Sequence, residues 1–104
     1  MLTLHDLENI IAQRASSTAE KSYTKSLLDA GPARAAKKFG EESVELVIAI
    51  LEGETGAIRA EAADVLYHLM VVLRTRGVEL QDVMRELESR TSRSGHEEKA
   101  SRQA

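Results

Sequence analysis

Lys38-Phe39-Gly40-Glu41-Glu42-Ser43-Val44-Glu45, answered further on by Glu61-Ala62-Ala63-Asp64, decides how this chain folds. Read as helix, Glu42 and Glu45 stand three residues apart and Glu41 and Glu45 four apart, so the three carboxylates project to one side. Glu61 and Asp64 repeat the spacing. Like charges so placed destabilise a helix by about 0.2 to 0.5 kcal/mol per pair, and a bound cation reverses that sign. The sequence after each cluster, residues 46–51 and 65–67, is apolar and reads as core, which puts Glu45 and Asp64 at a core edge. An unpaired carboxylate is costly there. Hard divalent cations with oxygen ligands are the natural partner, Mg²⁺ ahead of Ca²⁺ where phosphates complete the coordination. Lys37 and Lys38, four residues before Glu41 and Glu42, would suit an ordinary solvated face if one cluster stood alone. Two clusters on successive helices, each entering apolar sequence, favour a site.

Outward from this stretch, Gly31-Pro32 opens a helix that runs to Glu52, where Gly53-Glu54-Thr55-Gly56 breaks it. Ala36, Phe39, Ser43, Val47 and Ile50 line its apolar face, and Val44, Ile48 and Leu51 widen it. Gly40 within that helix costs about 1 kcal/mol against alanine and suggests a close approach by a backbone or a ligand. Thr55 is the expected cap of the next helix, which carries Ile58, Ala62, Val65, Leu66, Leu69, Val72 and Leu73 and stops at Gly77. Residues 65–73 are apolar nearly all round, more surface than one short partner covers, and this predicts a second subunit. His68 falls on the side of Glu61 and Asp64 and reads first as a hydrogen-bonded core-edge histidine, then as a ligand or proton carrier. Thr3 and Asp6 form a capping box for a first helix to Arg14; residues 22–29 suit a short helix ended by Gly31; residues 79–90 give a last helix with Leu80, Val83, Met84 and Leu87 on one face. The expectation is an all-α fold of four to five helices, a bundle completed by dimerisation, with one domain over 1–90 and a polar tail over 91–104.

With 104 residues and no cysteine, the chain is one domain without disulfides or thiolate metal sites. The N-terminus has no basic segment followed by an apolar run of the signal-peptide kind, and the longest apolar stretch, residues 65–73, falls well short of the roughly 20 residues of a membrane span. A cytoplasmic protein with no membrane partner is expected. A net charge of −3 and only three aromatic residues, Tyr23, Phe39 and Tyr67, argue against a nucleic-acid binder.

E-x-x-D answering E-E-x-x-E on paired helices resembles the MazG-type all-α nucleoside triphosphate pyrophosphohydrolases. Ser22-Tyr23-Thr24, Lys38-x-Gly40-Glu41-Glu42, the run from Glu61 through Asp64 to Tyr67-His68, and Ser94-Gly95-x-x-Glu98-Lys99-Ala100-Ser101-Arg102 narrow the resemblance to the phosphoribosyl-ATP pyrophosphohydrolase family of histidine biosynthesis. That resemblance implies a helical homodimer that cleaves phosphoribosyl-ATP with water and Mg²⁺ to phosphoribosyl-AMP and pyrophosphate. Carried over to this chain, Glu42, Glu45, Glu61 and Asp64 would be metal ligands, with Glu41 a further ligand or the group that orients water. Tyr23, Thr24, Lys25 and Lys38, and Arg93, Lys99 and Arg102 in the tail, would contact substrate. The lack of cysteines points to the form without the fused zinc cyclohydrolase. Two other readings stay open at this point: a house-cleaning pyrophosphatase of ordinary or damaged nucleotides, and a non-catalytic helical dimerisation module with an acidic patch.

Overall fold

The computed structural model describes residues 1–18 and 22–92, which form five helices: α1 Leu4–Arg14, α2 Tyr23–Ala30, α3 Pro32–Glu52, α4 Thr55–Thr75 and α5 Leu80–Thr91. There is no strand among the described residues. The basic positions of the expected tail, Arg93, Lys99 and Arg102, lie outside them.

Local chemistry sets the boundaries. Thr3 and Asp6 exchange backbone-to-side-chain hydrogen bonds of 3.0 Å each, a complete capping box at the start of α1. Ser22 Oγ accepts the Lys25 N–H at 3.1 Å to start α2. Gly31, at φ 91°, ends α2 and admits α3 in a backbone conformation that other residues avoid, and Pro32 occupies the first turn of α3, where a missing N–H costs nothing. Gly53, at φ 85°, closes α3 in the left-handed region. The cap of α4 is Glu54 and not Thr55: its carboxylate accepts the N–H groups of Gly56 at 2.8 Å and Ala57 at 2.7 Å. A full negative charge that satisfies two free donors at the positive end of the helix outdoes a single threonine oxygen.

With only Gly53 and Glu54 between them, α3 and α4 run antiparallel as a hairpin, the dominant packing in the molecule. Helix α2 lies against both, and α1 rests on α4, α2 and α5. Ile11, Leu27, Ala35, Met70 and Val71 form the buried core, with Leu7, Leu28, Tyr67, Val72 and Leu80 packed against it. These residues sit at the end of the hairpin away from its turn. The inward line of α3 is Ala35, Glu42 and Ala49, at seven-residue intervals, and the two alanines let α4 approach closely.

The expected apolar face of α3 therefore points away from the core. Val47 is 55% exposed and Leu51 81%, and Val44, Ile48 and Ile50 are also exposed. Only Ala49 is buried in that half of α3. Gly40 faces open space as well: a Cβ there would meet nothing within 4 Å, so no close backbone approach within the described residues explains it. Helix α5 contributes no buried residue, and its first turn is tied to α1 by the Leu80 N–H, which donates to Glu8 Oε2 at 2.7 Å.

Candidate active site

Because the turn at Gly53 and Glu54 is so short, residues equally far from it meet across the hairpin, and Glu45 on α3 comes to face Glu61 on α4. Carboxylate oxygens of Glu42, Glu45 and Glu61 all lie within 4.8 Å of one another. Glu42 is buried, Glu61 half-buried and Glu45 exposed, so the core edge runs through Glu42 and Glu61 and not, as the apolar flanks suggested, through Glu45 and Asp64. Asp64 is exposed, and its carboxylate stands outside this close set.

Three carboxylates so close repel one another. The charge of Glu42, followed by that of Glu61, pushes the Glu45 carboxyl above the usual carboxylate range. Glu61 Oε2 is buried with no hydrogen-bond partner. Only part of the repulsion is met by the protein itself: Lys38 Nζ lies 3.1 Å from Glu42 Oε1 and 3.8 Å from Glu41 Oε2. The hydrogen bond to Glu42, with Tyr23 next, holds the Lys38 ammonium above the ordinary lysine range.

Two turns after Glu61 on α4, His68 is 6% exposed; its Nδ1 pairs with the Asp64 carbonyl at 2.8 Å, which makes Nδ1 the protonated nitrogen, and its buried Nε2 has no partner. The rings of Tyr67, at 4.9 Å, and Tyr23, at 6.2 Å, meet it edge-on. Of the α2 residues expected to touch substrate, the Thr24 hydroxyl is buried and hydrogen-bonded to Tyr67, and Lys25 pairs with Asp29 at 2.7 Å. Tyr23 is exposed and lines a groove of about 590 Å³ between α2 and α3, with Lys38 and Glu41 on the opposite side. Arg34 and Lys37 line the same groove. Sequence reasoning passed over Arg34 altogether, although its place four residues before Lys38 on a helix was a usable signal.

The phosphoribosyl-ATP pyrophosphohydrolase family model matches residues 4–91, which span all five helices. The chain belongs to that family. It is 57% identical over 100 residues to a phosphoribosyl-ATP pyrophosphatase 1 of Rhodopseudomonas palustris, a match that covers 96% of this chain and 94% of the relative. A phosphoribosyl-ATP pyrophosphatase of Azorhizobium caulinodans is 54% identical over 102 residues, covering 98% and 94%. One of Rhizobium rhizogenes is 53% identical over 100 residues, covering 96% of each. Among the described residues of this phosphoribosyl-ATP pyrophosphohydrolase family member, no helix is long and apolar enough to cross a membrane.

Proposed function

We propose that this protein hydrolyses phosphoribosyl-ATP to phosphoribosyl-AMP and pyrophosphate, the second step of histidine biosynthesis, in the cytoplasm and with Mg²⁺. The observation that carries the reading is the triad of Glu42, Glu45 and Glu61 drawn together from two helices, in a chain of this family. Its donors fit a hard cation: all are carboxylate oxygens, one is buried without a partner, and their mutual repulsion is relieved by positive charge. Mg²⁺ held by Glu42, Glu45 and Glu61, with Asp64 closing in from the next turn of α4, would neutralise charge on the triphosphate. The products named require that the α,β-phosphoanhydride bond breaks and that water supplies the new oxygen. Triphosphate hydrolysis asks little covalent help of the protein, so positioning and charge carry it.

The other residues supply that positioning. Lys38 fixes the orientation of Glu42 and faces the groove, where an anionic ligand meets its charge. Glu41, exposed and lining the groove, would serve as a further ligand or as the group that orients water. His68, held through the Asp64 carbonyl, fixes the α4 backbone beneath the Asp64 carboxylate. Thr24 and Tyr67 pin α2 to α4, which sets Tyr23 at the groove wall. Arg93, Lys99 and Arg102 would close over substrate phosphates from the chain beyond α5, a role suited to arginine and lysine.

The second half of the reading is a homodimer. The exposed apolar residues of α3, from Val44 to Leu51, form a face too large for a small protein to leave in water. A second copy of the same face is the simplest cover.

The test is release of pyrophosphate from phosphoribosyl-ATP with Mg²⁺ and with chelator, beside ATP, dUTP and dCTP as substrates. Turnover that needs Mg²⁺ and strongly favours phosphoribosyl-ATP is expected. Equal turnover of the plain nucleotides would move the protein to the house-cleaning class, and no Mg²⁺ dependence of any property would reduce it to a dimerisation module.

A further inference from the structure

From the α2–α3 groove we infer that Arg34 and Lys37 form a second anion subsite, which takes the phosphate of the phosphoribosyl group and so selects phosphoribosyl-ATP over ATP. The inference rests on the reaction proposed above. The groove runs along α3 from Arg34 and Lys37 to Lys38 and Glu41, and helical spacing continues the same side of α3 from Arg34, Lys38 and Glu41 to Glu45 of the carboxylate triad, which lies beyond the groove's lining.

The two ends are not equivalent. Lys38 is already engaged by Glu42 and Glu41, whereas Arg34 and Lys37 are exposed and take part in no ion pair among the described residues. Two cations on adjacent turns of one helix repel as the carboxylates do, and a phosphate between them removes the repulsion with charge-assisted hydrogen bonds. Arg34 brings a planar fork suited to two phosphate oxygens, and Lys37 adds a point charge.

Spacing assigns the ligand. At about 1.5 Å per residue, Arg34 stands roughly 12 to 17 Å along the helix from Glu42 and Glu45. One triphosphate cannot occupy both ends as well as a ligand with phosphates at either end of a nucleoside. Phosphoribosyl-ATP has that form: a triphosphate for the triad, a base and riboses for the stretch past Tyr23, and a terminal monophosphate for the cations. ATP lacks the last group. Binding energy at the remote phosphate would hold the triphosphate in place for attack, so its loss lowers kcat as well as raising KM.

Arg34→Gln, Lys37→Gln and the double variant put the subsite to the test; both positions are exposed and glutamine keeps helix propensity, so circular dichroism should match the unaltered protein. The quantity read is kcat/KM for phosphoribosyl-ATP divided by kcat/KM for ATP. The double variant should lower this ratio about tenfold or more, with each single change giving part of the loss. A metal-free measurement accompanies it: calorimetric binding of ribose 5-phosphate in chelator, expected at about 1 mM in the unaltered protein and lost in the double variant. An unchanged ratio, or ribose 5-phosphate binding that survives the double substitution, overturns the subsite. If the unaltered protein does not cleave phosphoribosyl-ATP at all, the proposed reaction fails and the subsite with it; if it does and the ratio stays fixed, only the subsite fails.

Discussion

Glu61→Gln removes one of three clustered charges while it keeps side-chain volume, and this separates the cost of the triad from its use. Two carboxylates 4.8 Å apart, the outer limit within the triad, repel by about 0.9 kcal/mol at the dielectric of water and about 3.5 kcal/mol at an effective value of 20. Glu61 is half-buried and its partner Glu42 is buried, but water still screens the pair, so the lower end, about 1 kcal/mol, is the fair figure. In chelator the variant should therefore melt about 4 to 8 °C higher than the unaltered protein. Mg²⁺ should do the opposite. A cation at 100 times its Kd stabilises the unaltered protein by about 2.7 kcal/mol, and the variant, one ligand poorer, should gain much less. Turnover of phosphoribosyl-ATP should fall about 100-fold or more. The assay is a thermal melt with and without Mg²⁺ at a fixed protein concentration, because the proposed dimer would make the melting point concentration-dependent. A lower melting point in chelator would refute the repulsion, and a Mg²⁺ shift equal to that of the unaltered protein would refute the ligand role.

Val47→Glu places a charge on the exposed α3 face, at no expense to the protomer core, and should turn a dimer into a monomer by light scattering; a variant that stays dimeric moves the interface elsewhere. Tyr67→Phe leaves the buried Thr24 hydroxyl without its partner and should cost about 1 to 3 kcal/mol in denaturant unfolding, whereas Tyr67→Phe with Thr24→Val should recover part of the loss. The backbone N–H groups of Gly56 and Ala57 hold the Glu54 carboxyl below its ordinary 4.5, so its contribution to stability is full above that value and is lost as pH falls through the lowered one. Glu54→Gln should accordingly melt lower at neutral pH and show a shallower loss of stability in acid. Glu45 works in the other direction: its raised pKa favours the folded metal-free protein below the ordinary glutamate value, and that advantage is lost as pH rises through the raised value. Melts of metal-free Glu45→Gln should lack this decline.

Helix ends were legible wherever one residue type had a single local use: the Thr3 and Asp6 box, Gly31 before Pro32, and Gly53 after Glu52 behave as their chemistry dictates. Glu54 was missed because glutamate is a poor cap by type, and only the actual turn brings its long side chain onto two donors. The carboxylate clusters were legible because helical spacing alone puts Glu42 beside Glu45 and Glu61 beside Asp64. Which of them meet across the hairpin was not, because the approach of α4 depends on Ala35 and Ala49, residues with little hydrophobic weight. Counting apolar residues picked the broad face of Val47 and Ile50 as the core, but in a chain this small the most apolar face need not be the one folded inward. The Arg34 groove needed α2 as its other wall, and no pattern within α3 reports the position of α2.

The bond from Glu8 to the start of α5 joins residues 72 apart in sequence, and beside it the packing of Leu80 on the core holds a helix that fully buries no side chain. Such a helix forms a separate cooperative unit, able to open with a free energy well below that of global unfolding. In native-state hydrogen exchange its amides should lose protection before those of α3 and α4, and Glu8→Gln should speed α5 while the hairpin amides keep their rates. On the proposal that Arg93, Lys99 and Arg102 hold substrate phosphates, a ligand bound by them and by the hairpin together would slow exchange throughout α5 without touching it.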